Sequence, residues 1–431
     1  MPDGSNRRPT MTDSQKRDLI ALVWGHRLFR DSDIAAPEQA VCVENPGYAP
    51  EAGPGEAVTP GPDFTNAAVR YGDSLLCGAV RIDSRSSQWR ESGAMTDPAF
   101  DPVLFHVVGQ RDRVLVRDGR EVRTLVLTPA AEMEALYGQM LDEAVRGGTG
   151  CAGFFATLPG VQQEQILSRL TAERLRRKTA EVEAIRRSLG GCWDETAYVC
   201  YLRSLGMGGQ KRSYEALARS VPLRCLVRCA GDVRQAEALL MGQSGYLNVA
   251  SASDPKIREL QDIYLTLKKE YGLLRPVVSW AGAGVRPASL PPAMLSHAAA
   301  LLARVPVLSG SLKAASERGM AALRDLFGSA ETGISPAKTD LRIINFVIPL
   351  LTAMGRDTGD AQLQERALGL YEEVAPEANR YTRLWQEAFD LRSASDSQAV
   401  IQLCTEYCGR GGCAKCPVGT LRLVRLWKKL R

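Results

Sequence analysis

The chain has 431 residues, 45% hydrophobic and 24% charged, with a net charge of +5. That length is too great for one ordinary core and predicts two or three domains. The charge permits contact with nucleic acid without demanding it, and the lack of a run of about 18 apolar residues argues against a membrane span. The N-terminal MPDGSNRRPTMTDSQKRD has no apolar signal core, so a cytoplasmic protein is expected. There the 11 cysteines are expected to be reduced, either free or metal-bound.

Residues 1–12 are polar with Pro and Gly and read as a disordered N-terminus. Residues 13–30 predict a helix with Asp13 or Ser14 as its cap and an apolar stripe of Leu19, Leu22, Val23 and Leu28. His26, beside that stripe, reads as structural. Residues 31–60 are rich in Pro, Gly, Ala and Glu and read as a long loop. Residues 61–128 are β-rich. Ala67 to Tyr71 and Ser74 to Asp83 predict a hairpin turning at Tyr71-Gly-Asp, with further strands at Val103 to Val108, Arg113 to Arg117 and Arg123 to Leu127. The Arg117-Asp-Gly-Arg turn marks a second hairpin.

From Ala130 onward helical patterning dominates. A long Arg/Glu-rich amphipathic helix opens with VQQEQILSRL, and its Glu173–Arg177 and Glu183–Arg187 spacings add slight support. Further helices are predicted at 194–206, 213–220, 232–245, 254–271, 290–303, 312–327, 338–355, 360–374, 377–390 and 394–408, with a structured loop at 284–294. No fixed repeat period appears, so no solenoid is expected.

Pro62-Asp63 precedes one predicted strand, and Asp83-Ser84-Arg85 ends the next. In a strand of period two, Leu76, Gly78, Val80 and Ile82 face one way, and Cys77, Ala79, Arg81, Asp83 and Arg85 the other. Nucleases of the PD-(D/E)XK type are laid out in this manner. One acid begins a strand, and an acid-x-lysine pair on its neighbour completes a site that holds Mg²⁺ and activates water. Asp63 and Asp83 are the candidate Mg²⁺ ligands here, with Arg85 in the place of lysine as an electrostatic element only. His106, in the apolar VLFHVV, is either a satisfied core histidine or a group assisting water. The plainer reading makes Asp63 a turn former and Asp83-x-Arg85 a surface charge pair. Asp97 and Asp101 read as turn formers or outer carboxylates.

Cys404, Cys408, Cys413 and Cys416 are spaced C-x3-C-x4-C-x2-C. Cys404 and Cys408 sit at i and i+4, on one helix face, and Cys413-Ala-Lys-Cys416 forms a CxxC knuckle after two glycines. Four thiolates at this density suit a structural zinc ion or an iron–sulfur cluster, which spacing alone does not separate. Several PD-(D/E)XK-like nucleases staple their fold with an iron–sulfur cluster that takes one ligand from far away in the chain. Cys151 is that candidate here if Cys404 is not a ligand.

These residues resemble a bacterial family, domain-of-unknown-function family 2851, over about residues 13–420. The resemblance is carried by Trp24-Gly-His-Arg-Leu-Phe29, Gly61-Pro-Asp-Phe-Thr-Asn-Ala67, Leu104-Phe-His-Val-Val108 and Glu173-Arg-Leu-Arg-Arg-Lys178. Further along come Ala236-Glu-Ala-Leu-Leu-Met-Gly-Gln-Ser-Gly245, Arg286-Pro-Ala288 and Ser395-Asp-Ser-Gln-Ala399, then Tyr407, Cys408, Cys413, Cys416 and Gly419. The resemblance implies a divergent PD-(D/E)XK core in the N-terminal half. It also implies a Glu-x-His on the second strand, where this chain has Arg81-Ile-Asp83. Asp63 and His106 match that pattern. Either Asp83 takes over as the second acid, or catalysis is lost and the scaffold kept, because Arg81 aimed into a cation site repels metal. The family's terminal pattern makes Cys404 the least secure ligand.

The expected fold class is α+β, with a nuclease-like mixed sheet and its N-terminal helix over 13–130. A helical domain follows over 131–393, then the cysteine knuckle and basic tail over 394–431. The expected function is that of a nucleic-acid-associated protein with an active or degenerate Mg²⁺ site, binding DNA or RNA. Arg85, together with Arg81, would meet phosphate, and Arg174, Arg177 and Lys178 would contact the backbone. The alternative is a non-catalytic scaffold with a structural metal at its cysteines. No P-loop, dinucleotide fingerprint or nucleophile elbow points to other chemistry.

Overall fold

A computed structural model describes residues 11–37, 39–50, 60–145, 149–206, 210–249, 254–274, 278–280, 290–328 and 334–430. The chain packs into two compact units. One joins Met1–Leu170 with Ala378–Leu391 and Ala399–Arg431, and the other joins Thr171–Glu377 with Arg392–Gln398. The division therefore falls forty residues beyond the boundary expected at 130, and the cysteine-rich end shares a unit with the sheet.

The first unit opens with α1 (Asp13–Gly25). Its cap is Thr12, one residue before the expected pair: the Thr12 hydroxyl accepts from the Gln15 amide, and the Gln15 side chain accepts from the Thr12 amide. Four strands then build the heart of a mixed six-stranded sheet: β3 (Phe64–Tyr71), β4 (Ser74–Arg85), β5 (Val103–Gln110) and β8 (Arg123–Leu127). The other two are β1 (Ile34–Ala35) and β2 (Val41–Asn45), in the order β1-β8-β5-β4-β3-β2. Strands β2, β3 and β4 form an antiparallel meander. After a crossover containing α2 (Ser87–Glu91), β5 lies parallel to β4, and β8 lies parallel to β5. Strand β2 corrects the reading of 31–60 as loop. Its alternation is only five residues long among Pro and Gly, too short to register as a pattern, yet Val43 is fully buried. The Arg117-Asp-Gly-Arg turn joins β6 (Val116–Arg117) to β7 (Arg120–Glu121) as expected.

One face of the sheet supplies the core. Val80, Ile82, Phe105, Val107, Leu125 and Leu127 pack with Leu19, Val23 and Trp24 of α1. Tyr137 and Met140 of α3 (Ala131–Val145) join the same core. The opposite face is covered as well: residues 79 to 84 of β4 are all buried. Trp89, Phe100 and Leu115 form a small second core there. Arg81 and Asp83 of β4 are therefore interior residues rather than part of a solvent-facing row. After α4 (Thr149–Ala156), α5 (Gly160–Ser188) leads into the helical unit.

That second unit contains α6 (Trp193–Leu205), α7 (Lys211–Ser220), α8 (Leu223–Arg228), α9 (Val233–Gln243), α10 (Tyr246–Val249) and α11 (Pro255–Glu270). It continues with α12 (Pro291–Arg304), α13 (Leu308–Glu317), α14 (Met320–Phe327), α15 (Pro336–Arg342), α16 (Ile348–Thr358) and α17 (Ala361–Glu373). The segment expected as one helix over 312–327 is two, because Gly319 adopts a φ of 92° between α13 and α14. The helix expected over 338–355 carries a π-turn at Ile343–Val347. Most of the expected loop at 284–294 lies outside the described residues, and its last part is the first turn of α12. No single helix among the described residues is long and apolar enough to cross a membrane.

The chain returns to the first unit through α18 (Arg380–Gln386) and α19 (Ala394–Gln402). A π-turn at Leu403–Tyr407 and the final α20 (Pro417–Leu430) complete it.

Candidate functional site

Arg81, Asp83 and His106 meet on the covered face of the sheet because β4 and β5 run parallel with Arg81 opposite His106. The Asp83 carboxylate is buried and fully engaged. Its Oδ2 accepts from Arg81 Nε at 2.8 Å and from His106 Nε2 at 3.0 Å, and its Oδ1 accepts from Arg81 Nη2 at 3.3 Å. The Arg81 guanidinium lies 4.9 Å from the Phe100 ring centroid and 5.7 Å from that of Trp89, so aromatic faces take up the rest of its charge. Trp89 meets His106 edge-on, with centroids 5.0 Å apart.

Asp63 precedes β3, where its amide bonds to Val80 O at 2.8 Å. Its Oδ2 accepts from the Ile82 amide at 2.8 Å. Its Oδ1 accepts from Arg17 Nη2 at 2.5 Å, and Arg17 Nε donates to Ile82 O at 2.9 Å. The same Arg17 Nε stands 3.9 Å from Asp83 Oδ1. A guanidinium from α1 thus lies between the two acids that sequence spacing offered to a metal. Arg17 was missed: it is an unremarkable charge in a helix, 46 residues before its partner.

Burial pushes the Asp83 carboxyl up, but the His106 and Arg81 bonds and the Arg81 charge outweigh it and hold it below its ordinary value. Burial likewise outweighs the Asp83 bond at His106 and holds the imidazole below its ordinary value. With Asp83 ionised and His106 neutral, the imidazole proton sits on Nε2 and is donated to Asp83. His106 Nδ1 is then a buried acceptor without a partner among the described residues. A neutral histidine pinned in this way can orient a carboxylate, but its Nε2 is not free to take a proton from water.

Arg85 does not join this group. It pairs with Asp13 at 3.1 Å and Asp112 at 3.7 Å, and it lines a separate cavity of about 210 Å³ with Lys16, Gln110 and Glu134. Asp97 caps a short turn by accepting from the Ala99 amide, and Asp101 pairs with Arg117. The three helix cations expected at a nucleic-acid backbone are engaged within the helical unit. Arg174 is buried and donates to Gln398 at 2.5 Å, the half-buried Lys178 donates to Asn345, and Arg177 pairs with Glu181 at 3.7 Å. Burial, with Arg174 and Lys211 adding to it, holds Lys178 well below its ordinary value.

The C-terminal cysteines gather with the distant Cys151. Cys413 and Cys416 each interact electrostatically with Cys408 and Cys151, and the Cys408 and Cys404 thiols, both free, share a hydrogen bond. Burial pushes the Cys413 thiol up to about 12 and raises those of Cys416 and Cys151. Gly419 is required here, because a Cβ would stand 2.3 Å from Cys413 O, and its amide donates to Cys416 Sγ at 3.4 Å. Arg422 Nη1 donates to Cys151 Sγ at 3.6 Å. Among the described residues no three His, Cys, Asp or Glu side chains stand at metal-holding spacing. Cys404 lies in the π-turn, which replaces the α-helical i to i+4 geometry expected for it.

Comparison with known proteins adds a family. The family described as a protein of unknown function (DUF2851) matches residues 17–332, well over half of the chain. The chain belongs to it. No curated protein and no solved structure matches. The DUF2851 match spans Arg17, Asp63, Arg81, Asp83 and His106, and Cys151 but not the four C-terminal cysteines.

Proposed function

We propose that this DUF2851 member is a nucleic-acid-associated protein on a PD-(D/E)XK-like scaffold whose acid site is held closed by its own arginines. Topology supports the scaffold: an antiparallel meander, a crossover to a parallel strand, Asp63 just before β3, and Asp83 on the adjoining β4. One observation carries the closure. Every oxygen of the two carboxylates accepts from a donor of the chain itself, namely Arg17, the Ile82 amide, Arg81 and His106. Two divalent cations would have to displace Arg17 and sit beside Arg81, which repels them. On this reading the protein binds nucleic acid without hydrolysing it.

The cysteines fit a structural zinc ion or iron–sulfur cluster by their donor set. Cys408, Cys413 and Cys416, with Cys151 or Cys404 as the fourth, would supply soft ligands, and the Gly419 amide and Arg422 would offset thiolate charge. When bound through Cys151, such a group staples residue 151 to the C-terminal tail.

The test is a cleavage assay on single- and double-stranded DNA and RNA with Mg²⁺ or Mn²⁺, beside gel-shift binding on the same substrates. Binding without cleavage is expected. Metal-dependent cleavage by the wild type that disappears in Asp63→Ala and Asp83→Ala would overturn the closed site, and no binding to any substrate would overturn the nucleic-acid assignment.

A further inference from the structure

The helical unit buries a second cation under the opposite circumstances. Arg342, at the end of α15, is 4% exposed, and among the described residues none of its three nitrogens has a hydrogen-bond partner. A native interior seldom leaves one such donor unmet, let alone a whole guanidinium. The acid nearest in sequence, Asp340, is taken by Arg324 at 2.9 and 3.3 Å.

Other orphaned polar atoms lie within reach of its charge. Among the described residues the buried hydroxyls of Tyr201 on α6 and Tyr214 on α7 have no hydrogen-bond partner, and neither has Nδ1 of His297 on α12. The Arg342 charge acts on both tyrosines, on His297 and on Lys338 one turn earlier in α15. Tyr201 and Tyr214 are fully buried, whereas His297 and Lys338 are partly exposed, so the group has a deep end and a rim. Both tyrosine rings are packed against aromatic neighbours. Tyr214 packs edge-on to Trp280 at 5.0 Å, and Trp280 is fixed by donating to Ser244 O at 2.9 Å. Tyr201 packs against Phe346, inside the π-turn that follows Arg342 directly. Such π-turns recur at functional sites.

We propose that Arg342, Lys338, Tyr201, Tyr214 and His297 form a binding site for a small phosphoryl oxyanion in the helical unit. Water would satisfy the hydroxyls but brings no charge to a buried guanidinium with an ammonium beside it. A carboxylate offers two oxygens, while the donors here come from four helices, which suits the four acceptors of a phosphate. The depth of Arg342 favours a small ion or monoester over a polymer. The proposal is independent of the closed acid site.

The test is calorimetric titration and thermal melting of the full chain in phosphate-free buffer at constant ionic strength. Inorganic phosphate and glycerol 3-phosphate serve as separate arms, which distinguish a free ion from a monoester headgroup. The expected result is one saturable site per chain and a melting temperature that climbs with ligand concentration. Arg342→Met should abolish both, and Tyr214→Phe, which keeps the ring, should weaken binding by about tenfold, the loss of one hydrogen bond to a charged group. Two results overturn the site: no saturable binding of either ligand by the folded wild type, or unchanged affinity in Tyr214→Phe and Arg342→Met. If Arg342→Met does not fold, the wild type and Tyr214→Phe decide the matter.

Discussion

The protein buries Arg81 and Arg342 and treats them in opposite ways. Arg81 is packed beside a carboxylate, two aromatic faces and a serine hydroxyl, so its charge is answered from within the chain. Arg342 is buried with its charge felt by two tyrosines, a histidine and a lysine, and among the described residues no hydrogen-bond partner answers it. A buried ion pair and a buried lone ion cost very different amounts. A complete set of partners marks a site that is structurally settled, however catalytic its residues look. A missing partner marks a site that expects a ligand.

Four measurements sharpen or break that contrast. The largest effect belongs to Asp83→Ala, which strands Arg81 without its carboxylate. Urea unfolding should show a loss of about 3–5 kcal/mol, and a loss near zero would mean that the Arg81–Asp83 pair is not intact. Arg342→Met should act in the other direction, raising stability by about 1–3 kcal/mol in phosphate-free buffer, because it removes an unanswered charge and keeps the volume. A loss of that size instead would mean that Arg342 already has a partner.

The third concerns pH. The folded-state value of His106 is depressed below its ordinary 6.5, so the unfolded chain binds the proton more readily. Stability from this group is present above about 6.5 and is lost as pH falls from there through the folded value. The slope reaches about 1.4 kcal/mol per pH unit at most. Asp83, also depressed, contributes in the same direction but below its ordinary 3.8. In His106→Gln, which can still donate to Asp83 but does not titrate, the loss below pH 6.5 should flatten while the loss at lower pH remains. The smallest effect is Thr12→Ala, which removes the cap of the helix carrying Arg17 and should cost about 1 kcal/mol in thermal melts.

The sheet was legible wherever strands were long. The Tyr71-Gly-Asp turn and the period of two in β4 placed Arg81 and Asp83 on one face, as observed. The short β2, hidden among Pro and Gly, left no pattern to read. The candidate site was legible as a list and not as a circuit. Asp63, Asp83 and His106 could be named from strand positions, but Arg17 could not, since its partners are set by where α1 lies on the sheet. Arg85 was misplaced for a related reason: it follows the strand period but sits past the covered part of β4, where Asp13 and Asp112 capture it. Arg174 and Lys178 read as a solvated basic face because their pattern is amphipathic, yet Gln398 and Asn345 turn them inward. Arg342 gave no signal at all, because it reads as one more charge within the helix expected over 338–355 until its neighbours are known.

The measurement that tests the closed site most directly is titration calorimetry of Mg²⁺ and Mn²⁺ into the wild type, beside Arg17→Ala and Asp63→Ala. Closure by Arg17 predicts no saturable heat for the wild type at millimolar metal, and binding that appears in Arg17→Ala and not in Asp63→Ala. Saturable binding by the wild type that is lost in Asp63→Ala would contradict it, and would make the acid pair an open metal site.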